Sequence, residues 1–316
     1  MVAASPTYSG AGVSLEKASA VVGRLRPALE ATWDDRVVGE LGGFAGLYAL
    51  DDRRLLAAST DGVGSKLVLS RRAGRLRAAG ADLAAHCIND VVTTGAEPLF
   101  LLDYAAAATL DLDEVAELVA GAAEVCRAAG CALLGGETAE LPGIYHDGEL
   151  DFAGTCVGIV ERERLVDGSR CQAGDAVVGF RSSGLHANGF SLVRRLVGDE
   201  PFDADLLLAP TRLYLEDVRA LRVRADVRAL AHVTGGGIAD NLARVLPSGV
   251  GALIDAAAWP RPPVYGWLDA MGVTEGEQRR VFNLGIGFCA VVPAADVADE
   301  LVIGRVEAGA AGVAFA

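Results

Sequence analysis

Short apolar runs of strand length alternate along this chain with segments of helical period, and nearly every run empties into a turn rich in glycine or hydroxyl residues. That alternation restricts the fold to layers of sheet and helix, α/β or α+β. The run at 55–59 feeds Thr60-Asp61-Gly62-Val63-Gly64-Ser65-Lys66, a helical pattern covers 81–94, and Pro98 opens a strand over 99–102. The clearest helix is 111–129. Asp111 can cap it, Glu114 sits at the capping-box position, and Leu112, Val115, Leu118, Val119, Ala122 and Cys126 share one face before Gly130 stops it. A strand at 131–134 then reaches Gly135-Gly136-Glu137-Thr138-Ala139-Glu140, and another spans 152–160.

Turn residues at 167–169 and 174–175 mark a domain boundary that divides 1–168 from 169–316, and 316 residues is long for one hydrophobic core. The second half repeats the style. A strand at 176–180 leads to Ser182-Ser183-Gly184, a helix starts near Asn188, and a second helix covers 211–224. Thr234-Gly235-Gly236-Gly237 precedes another helix, and strands follow at 286–292 and 300–304. Residues 1–20 read as a polar, flexible arm, and 39–46 hold too much glycine for a rigid element and read as a mobile loop.

Composition removes several function classes. A formal charge of −14 disfavours nucleic acid and anionic membrane, which require basic patches. The six cysteines show no C-x-x-C spacing and sit among small apolar residues, as buried thiols do. The N-terminus lacks a basic start followed by an apolar stretch, and no uncharged run nears the ~20 residues of a membrane helix. A soluble, cytoplasmic protein is expected.

Three acidic segments carry the candidate chemistry. Thr60, Asp61, Gly62, Gly64, Ser65 and Lys66 combine a carboxylate at a strand end, backbone N–H groups exposed by glycine, and a cation; Lys66 is one of two lysines in the chain. These are parts for a Mg²⁺–triphosphate site, although an ordinary Asp-Gly turn is the plainer alternative. On a helix, Asp82, His86, Asn89 and Thr93 fall in one stripe with Asp90 beside it, all short ligands suited to a hard cation; a solvated face is the alternative. Gly135, Gly136, Glu137 and Thr138 add a third carboxylate and a backbone that can approach phosphate. Carboxylates without a Cys/His cluster favour Mg²⁺ over Zn²⁺.

In the second half, Ser182, Ser183, Gly184, His186 and Asn188 form one candidate phosphate cradle, and His232, Thr234, Gly235 and Gly236 form another. Glycine turns with capping residues would explain both equally well. Residues 283–290 fit G-x-G-x-x-A, but an apolar strand follows where a dinucleotide fold requires a helix, so that reading fails.

Taken in order, these segments resemble the aminoimidazole ribonucleotide synthetase family. The resemblance also runs through Tyr8-Ser9-Gly10-Ala11-Gly12-Val13, Leu41-Gly42-Gly43-Phe44, Gly95-Ala96-Glu97-Pro98-Leu99-Phe100-Leu101-Leu102-Asp103-Tyr104 and Leu208-Ala209-Pro210-Thr211-Arg212. Ser65, Ala187 and Phe288 are mild departures that remove no charged group. The resemblance implies a two-domain subunit whose N-terminal sheets close a barrel across a homodimer. It implies an ATP-dependent cyclo-ligase that converts formylglycinamidine ribonucleotide to aminoimidazole ribonucleotide in purine biosynthesis, with Mg²⁺ and a candidate K⁺ requirement. Carried over by motif, Asp61, Asp90 and Glu137 would serve metal and phosphates, followed by Asp82, Asn89 and Lys66. Lys66, Asp61 and Asp90 would be catalytic. Gly42, Gly43 and the 60–65 and 135–138 segments would hold ATP, and Asp103 would join the two cradles on the substrate.

The rivals are a kinase or selenophosphate synthetase of the same superfamily, and a silent ATP-binding homologue. No cysteine precedes Cys87 and position 232 is His, against the selenophosphate reading; Asp61, Asp90 and Glu137 are all present, against the silent one.

Overall fold

The computed structural model describes residues 5–309 and 312–316. Ser14 caps α1 (Leu15–Glu30), its side chain accepting from the Lys17 N–H, so regular structure begins inside the stretch expected to be a flexible arm; residues 1–4 of that arm lie outside the described residues. Next come β1 (Val37–Val38), β2 (Gly46–Ala49), β3 (Arg54–Gly62), α2 (Lys66–Arg72), α3 (Leu76–Val92), β4 (Glu97–Ala107), α4 (Leu112–Ala129), β5 (Ala132–Glu140) and β6 (Leu150–Glu161). Among the described residues these strands form one sheet in the order β1-β2-β3-β6-β4-β5.

The second half supplies β7 (Ala176–Arg181), α5 (Phe190–Val197), α6 (Ala204–Leu207), α7 (Leu215–Arg224), β8 (Ala229–His232), α8 (Gly237–Ala243), β9 (Val250–Ile254), α9 (Pro263–Ala270), α10 (Glu275–Val281), β10 (Ile286–Val292), β11 (Val302–Ala308) and β12 (Gly312–Phe315). Its sheet runs β12-β9-β11-β7-β10-β8. Both sheets are mixed, each antiparallel except for one parallel pair, β4 with β5 and β12 with β9.

Helix α4 follows the sequence logic at both ends. The Asp111 carboxylate accepts from the Asp113 and Glu114 N–H groups, and Gly130 closes the helix in the left-handed region at φ 68°. The capping box does not close, because the Glu114 carboxylate accepts from Arg71 Nε instead, and Leu112 stands out in solvent. Helices α3 and α4 touch backbone to backbone on one face of the first sheet. A Cβ at Gly80 would lie 1.8 Å from the Leu118 carbonyl oxygen, and one at Gly121 equally close to that of Arg77. The opposite face leaves Tyr48, Leu99, Leu102 and Leu134 exposed. All six cysteines are free and buried, as their surroundings in the sequence imply.

Two expectations need correction. Residues 135–140 belong to strand β5 rather than a loop: pairing with β4 overrides the low strand preference of two glycines, and Gly136 is required because a Cβ there would meet the Asp103 carbonyl oxygen at 1.7 Å. The helix expected over 211–224 starts only at Leu215, since 209–214 run across to α3 and spend their polar groups there.

Candidate active site

Four side chains meet where the two halves face each other. Asp61 arrives at the end of β3, His86 and Asp90 project from one face of α3 at i and i+4, and His232 is the last residue of β8. His86 Nε2 lies 3.1 Å from Asp61 Oδ2, and His232 Nδ1 lies 2.8 Å from Asp90 Oδ1. The two imidazoles pack edge to face with centroids 4.7 Å apart, and the Ser59 hydroxyl donates to Asp90 Oδ2 at 3.0 Å. Asp61 keeps 37% of its side chain in solvent while His232 is sealed at 0%, so the cluster opens through Asp61.

Burial sets the charges. It pushes the Asp90 carboxyl up to about 7, with Asp61 adding repulsion, and pulls His232 down to about 4; His86 is lowered for the same reason. Both imidazoles are therefore neutral near pH 7, each bonded to a carboxylate through one nitrogen. Their other nitrogens, His86 Nδ1 and His232 Nε2, are buried without a partner. The carboxylates lack a full positive partner, which suits them to a cation. Among the described residues no cluster of three or more His, Cys, Asp or Glu closes into a metal cage. Two carboxylates at a partly open site nevertheless match Mg²⁺, which takes its remaining ligands from phosphate and water.

Three residues past Asp90 a cavity of about 380 Å³ opens, walled by Thr93 and Thr94 with Gly42, Gly43 and Arg244; Asp90 itself is not in the wall. Arg244 stacks over the Phe44 ring at 5.3 Å and its charge draws the Asp90 carboxyl downward against the effect of burial. The 39–46 loop thus forms one wall of this cavity.

Other predicted site residues go elsewhere. Lys66 is completely buried; its ammonium donates to Asp82 at 2.9 Å and to the Ala209 carbonyl at 2.9 Å, and lies 5.3 Å from the centre of the Phe190 ring. Asp82 Oδ1 also accepts from the Thr211 N–H and hydroxyl, both at 2.7 Å. Asn89 donates to the Arg212 carbonyl and accepts from the Tyr214 N–H. These three groups have protein partners and no opening to a phosphate, so in this arrangement they fasten the halves together instead of facing a metal. The stripe on α3 is therefore neither solvated nor a single ligand row. Its buried face divides between Asp82 and Asn89, used in the seam, and His86 and Asp90, used in the cluster.

Strand register aligns Asp61, Gly154, Asp103 and Gly136 in one row across β3, β6, β4 and β5. Three interstrand steps of about 4.8 Å put Gly136 roughly 14 Å from Asp61. Glu137, exposed on β5 with Gly135 and Thr138, is accordingly not brought to the Asp61–Asp90 cluster within one chain. Asp103 is half-buried and its pKa is raised by burial.

The two cradles of the second half do meet. A Cβ at Gly235 would lie 3.6 Å from Asn188 Oδ1, and Asn188 Nδ2 is buried with no partner. The Ser182 hydroxyl donates to the Gly184 carbonyl at 2.8 Å, Ser183 Oγ donates to the Pro210 carbonyl, and Thr234 Oγ1 donates to Asn241 Oδ1 at 3.1 Å. His186 is buried at φ 62°, its Nε2 3.5 Å from Tyr214 Oη. Gly236 and Gly189 lead into α8 and α5 with φ of 96° and 79°. Ser59, Thr94 and Arg244 have no place in the sequence reading, and His86 enters it only as part of the α3 stripe, without an assigned role. His86 had a signal, its i,i+4 spacing to Asp90, whereas nothing distinguishes Arg244 from the other arginines.

The fold and the site together define a two-domain α/β protein with a seam of carboxylates and imidazoles. Residues 42–160 match the N-terminal domain of the AIR synthase related proteins, and 172–314 match their C-terminal domain. The chain belongs to the phosphoribosylformylglycinamidine cyclo-ligase family. It is 48% identical to the phosphoribosylformylglycinamidine cyclo-ligase of Synechococcus sp. (strain CC9605), covering 91% of this chain and 88% of that one. It is 45% identical to that of Myxococcus xanthus (strain DK1622), over 96% of both. Among solved structures, thiamine monophosphate kinase from Aquifex aeolicus superposes with a TM-score of 0.65 at 20% identity, over 96% of this chain and 98% of that one. The hydrogenase maturation protein HypE in complex with ATP gives 0.62 at 21% identity, over 88% and 81%. At such identities the likeness concerns the fold.

Proposed function

We infer that the chain catalyses the ATP-dependent closure of formylglycinamidine ribonucleotide to 5-aminoimidazole ribonucleotide in purine biosynthesis, releasing ADP and phosphate. The observation that carries this reading is the seam where Asp61–His86 and Asp90–His232 meet, a few residues along the chain from a cavity walled by Thr93, Thr94 and a glycine loop, in a chain 48% identical to a cyclo-ligase over nearly its whole length.

A formamide oxygen is a poor leaving group. Transfer of the γ-phosphoryl of ATP to it gives an iminophosphate; the amidine nitrogen of the same molecule attacks that carbon, phosphate departs, and the ring closes. Holding both reacting groups in one bound geometry supplies on the order of 7–11 kcal/mol. ATP occupies the cavity beside Asp90, with Gly42 and Gly43 in its wall and its phosphates toward Thr60, Gly62, Gly64 and Ser65. Asp61 and Asp90 would hold Mg²⁺, which when bound supplies positive charge against the triphosphate oxygens. His86 and His232 orient these carboxylates and, being neutral, can accept a proton. The ribose 5′-phosphate falls to Ser182–Asn188 and Thr234–Gly236, where backbone N–H groups serve without a basic cluster. Loop 39–46 closes over the nucleotide and excludes water.

The same reading includes a division at 168/169, a K⁺ requirement and a cytoplasmic homodimer. The exposed apolar face of the first sheet supports the dimer, with Glu137 turned toward that interface; no helix among the described residues is long and apolar enough to cross a membrane. The test is purified protein with ATP, Mg²⁺ and formylglycinamidine ribonucleotide, with coupled detection of aminoimidazole ribonucleotide. Ring product with stoichiometric ADP supports the reading. ADP release only with a hydroxyl acceptor would replace it with a kinase, and no ADP with any acceptor would leave a binding protein.

A further inference from the structure

On the outer side of α2 and α5, away from the carboxylate–imidazole cluster, two cavities of about 440 and 740 Å³ adjoin and share Val68, Arg72 and Arg194. Both volumes fall in the range of small-molecule pockets, about 300–1,000 Å³. They have no residue in common with the cavity beside Asp90.

Their electrostatics differ. The smaller cavity presents three guanidiniums, Arg72, Arg194 and Arg195, against one carboxylate, Asp199. Arg72 donates to the carbonyls of Gly198 and Glu200, and Arg195 to that of Gly10, so both satisfy donors without neutralising charge. The Arg194 side chain makes no hydrogen bond or ion pair among the described residues, and its exposed guanidinium serves both cavities. Elsewhere in this chain of net charge −14, arginines commonly pair with carboxylates, as Arg71 does with Glu114 in the wall of the larger cavity. There Leu67, Val68, Leu150 and Tyr145 supply apolar surface. Beyond the shared Arg72 and Arg194, the larger cavity holds Glu149 and Asp151 besides the Arg71–Glu114 pair. Uncompensated positive charge in one compartment, with apolar surface and carboxylate acceptors in the next, fits a molecule with an anionic end and an organic body that carries hydrogen-bond donors.

We propose that the groove between α2 and α5 binds a phosphorylated small molecule, its phosphate held by Arg194 and Arg72 in the smaller cavity and its organic part lying along Val68 and Tyr145 in the larger. The phosphate belongs to a separate effector or, should the placement of the ribose 5′-phosphate at Ser182–Asn188 and Thr234–Gly236 fail, to the ribonucleotide substrate itself. The Ser65 and Ser191 hydroxyls, 3.1 Å apart, join this groove to the 60–66 loop.

Calorimetric titration of the intact protein with AMP and ribose 5-phosphate, alongside adenosine and ribose, tests the site without turnover. The phosphorylated compounds bind and the dephosphorylated ones do not. Arg194→Ala weakens binding about tenfold or more, and Arg194→Lys, which keeps charge but loses the fork, recovers part of it. Unchanged affinity in Arg194→Ala, or no saturable binding to the wild type at millimolar concentration, overturns the proposal. If Arg194→Ala also raises the KM for the ribonucleotide while the KM for ATP stays, the phosphate is the substrate's; if steady-state kinetics are unmoved while AMP binding is lost, it is an effector's. ADP release with the ribonucleotide is measured separately, so failure of the cyclo-ligase reading and failure of the groove give different results.

Discussion

Two buried ionic groups lie within a few residues of each other in sequence and behave oppositely. Lys66 and Asp82 are both completely buried, and together they engage the Ala209 carbonyl and the Thr211 N–H and hydroxyl. Asp61 with His86 and Asp90 with His232 are also buried in part, but two of their ring nitrogens have no partner and Asp61 opens to solvent. The first group has spent nearly all its hydrogen-bonding capacity on joining the halves, Asp82 Oδ2 keeping only its ion pair with the Lys66 ammonium at 2.8 Å; the second has kept capacity in reserve. Charged residue types and loop position do not separate them, whereas completion of the partner set does.

The sharpest way to break this comparison is at Lys66. Lys66→Met removes the cation and leaves Asp82 buried, and is expected to destabilise the fold by about 3–5 kcal/mol. Adding Asp82→Leu, which removes the stranded charge, should restore most of that loss. Denaturant unfolding of the single and double variants decides the matter. A Lys66→Met protein of normal stability with a raised KM for ATP would return Lys66 to the phosphate site.

Asp61→Asn and Asp90→Asn probe the other group. Each should cost turnover on the order of 10²–10³-fold with the fold retained, as removal of one charge-stabilising group does. Near-normal turnover at limiting Mg²⁺ would take that residue out of the metal site. Asp90 carries a pH signature as well. Its folded pKa, about 7, lies above the ordinary 3.8, so its contribution to stability is full below about 4 and disappears as pH rises through 7. His232, held down to about 4, acts in the opposite sense between about 4 and 6.5. In chelator, Asp90→Asn should therefore gain stability relative to the wild type as pH rises from about 4 to 7, read as the difference in Tm. A constant difference across that range would show that Asp90 is not held protonated.

A smaller effect is expected at Ser183. Ser183→Asp puts a carboxylate where the ribose 5′-phosphate is proposed to bind, and should raise the KM for the ribonucleotide about tenfold while leaving that for ATP. A change confined to the KM for ATP would mean that the nucleotide and substrate sites are exchanged.

Much of this was legible in the sequence. Asp111 and Gly130 bracket α4 because helix capping is local, and the strand after Gly287 excluded a dinucleotide turn for the same reason. Asp61 and Asp90 were found through their loop and helix settings. What could not be read is who covers a face. The α3 stripe looks uniform along the helix, yet its partners at 209–214 and 232 lie more than 120 positions away. Similarly, Gly135–Glu140 carries a loop's composition, and only pairing with β4 makes it a strand. Local rules identify elements, and long-range contact decides which polar groups are used up.

The 39–46 loop offers the finest test of the open region, because it borders the cavity beside Asp90 without belonging to either ionic group. Nothing in 39–45 is held in a helix or strand, Gly39 and Gly42 sit at φ 85° and 118°, and the anchors are Arg26 donating to the Leu41 carbonyl and Phe44 under Arg244. With so few fixed contacts the segment opens at little free-energy cost. Glu40 is exposed, so a glutamate-specific protease can cut inside the loop itself. A nucleotide in the adjoining cavity should hold the loop closed and slow that cut several-fold, in proportion to occupancy. AMP is the informative control, since it can occupy the α2–α5 groove but carries no triphosphate for the Asp61–Asp90 cluster. Protection by Mg-ATP and not by AMP ties loop closure to the open ionic group. Equal protection by both that is lost in Arg194→Ala would mean that the loop responds to the distal groove, and equal cleavage with and without Mg-ATP would reduce it to a connection between β1 and β2.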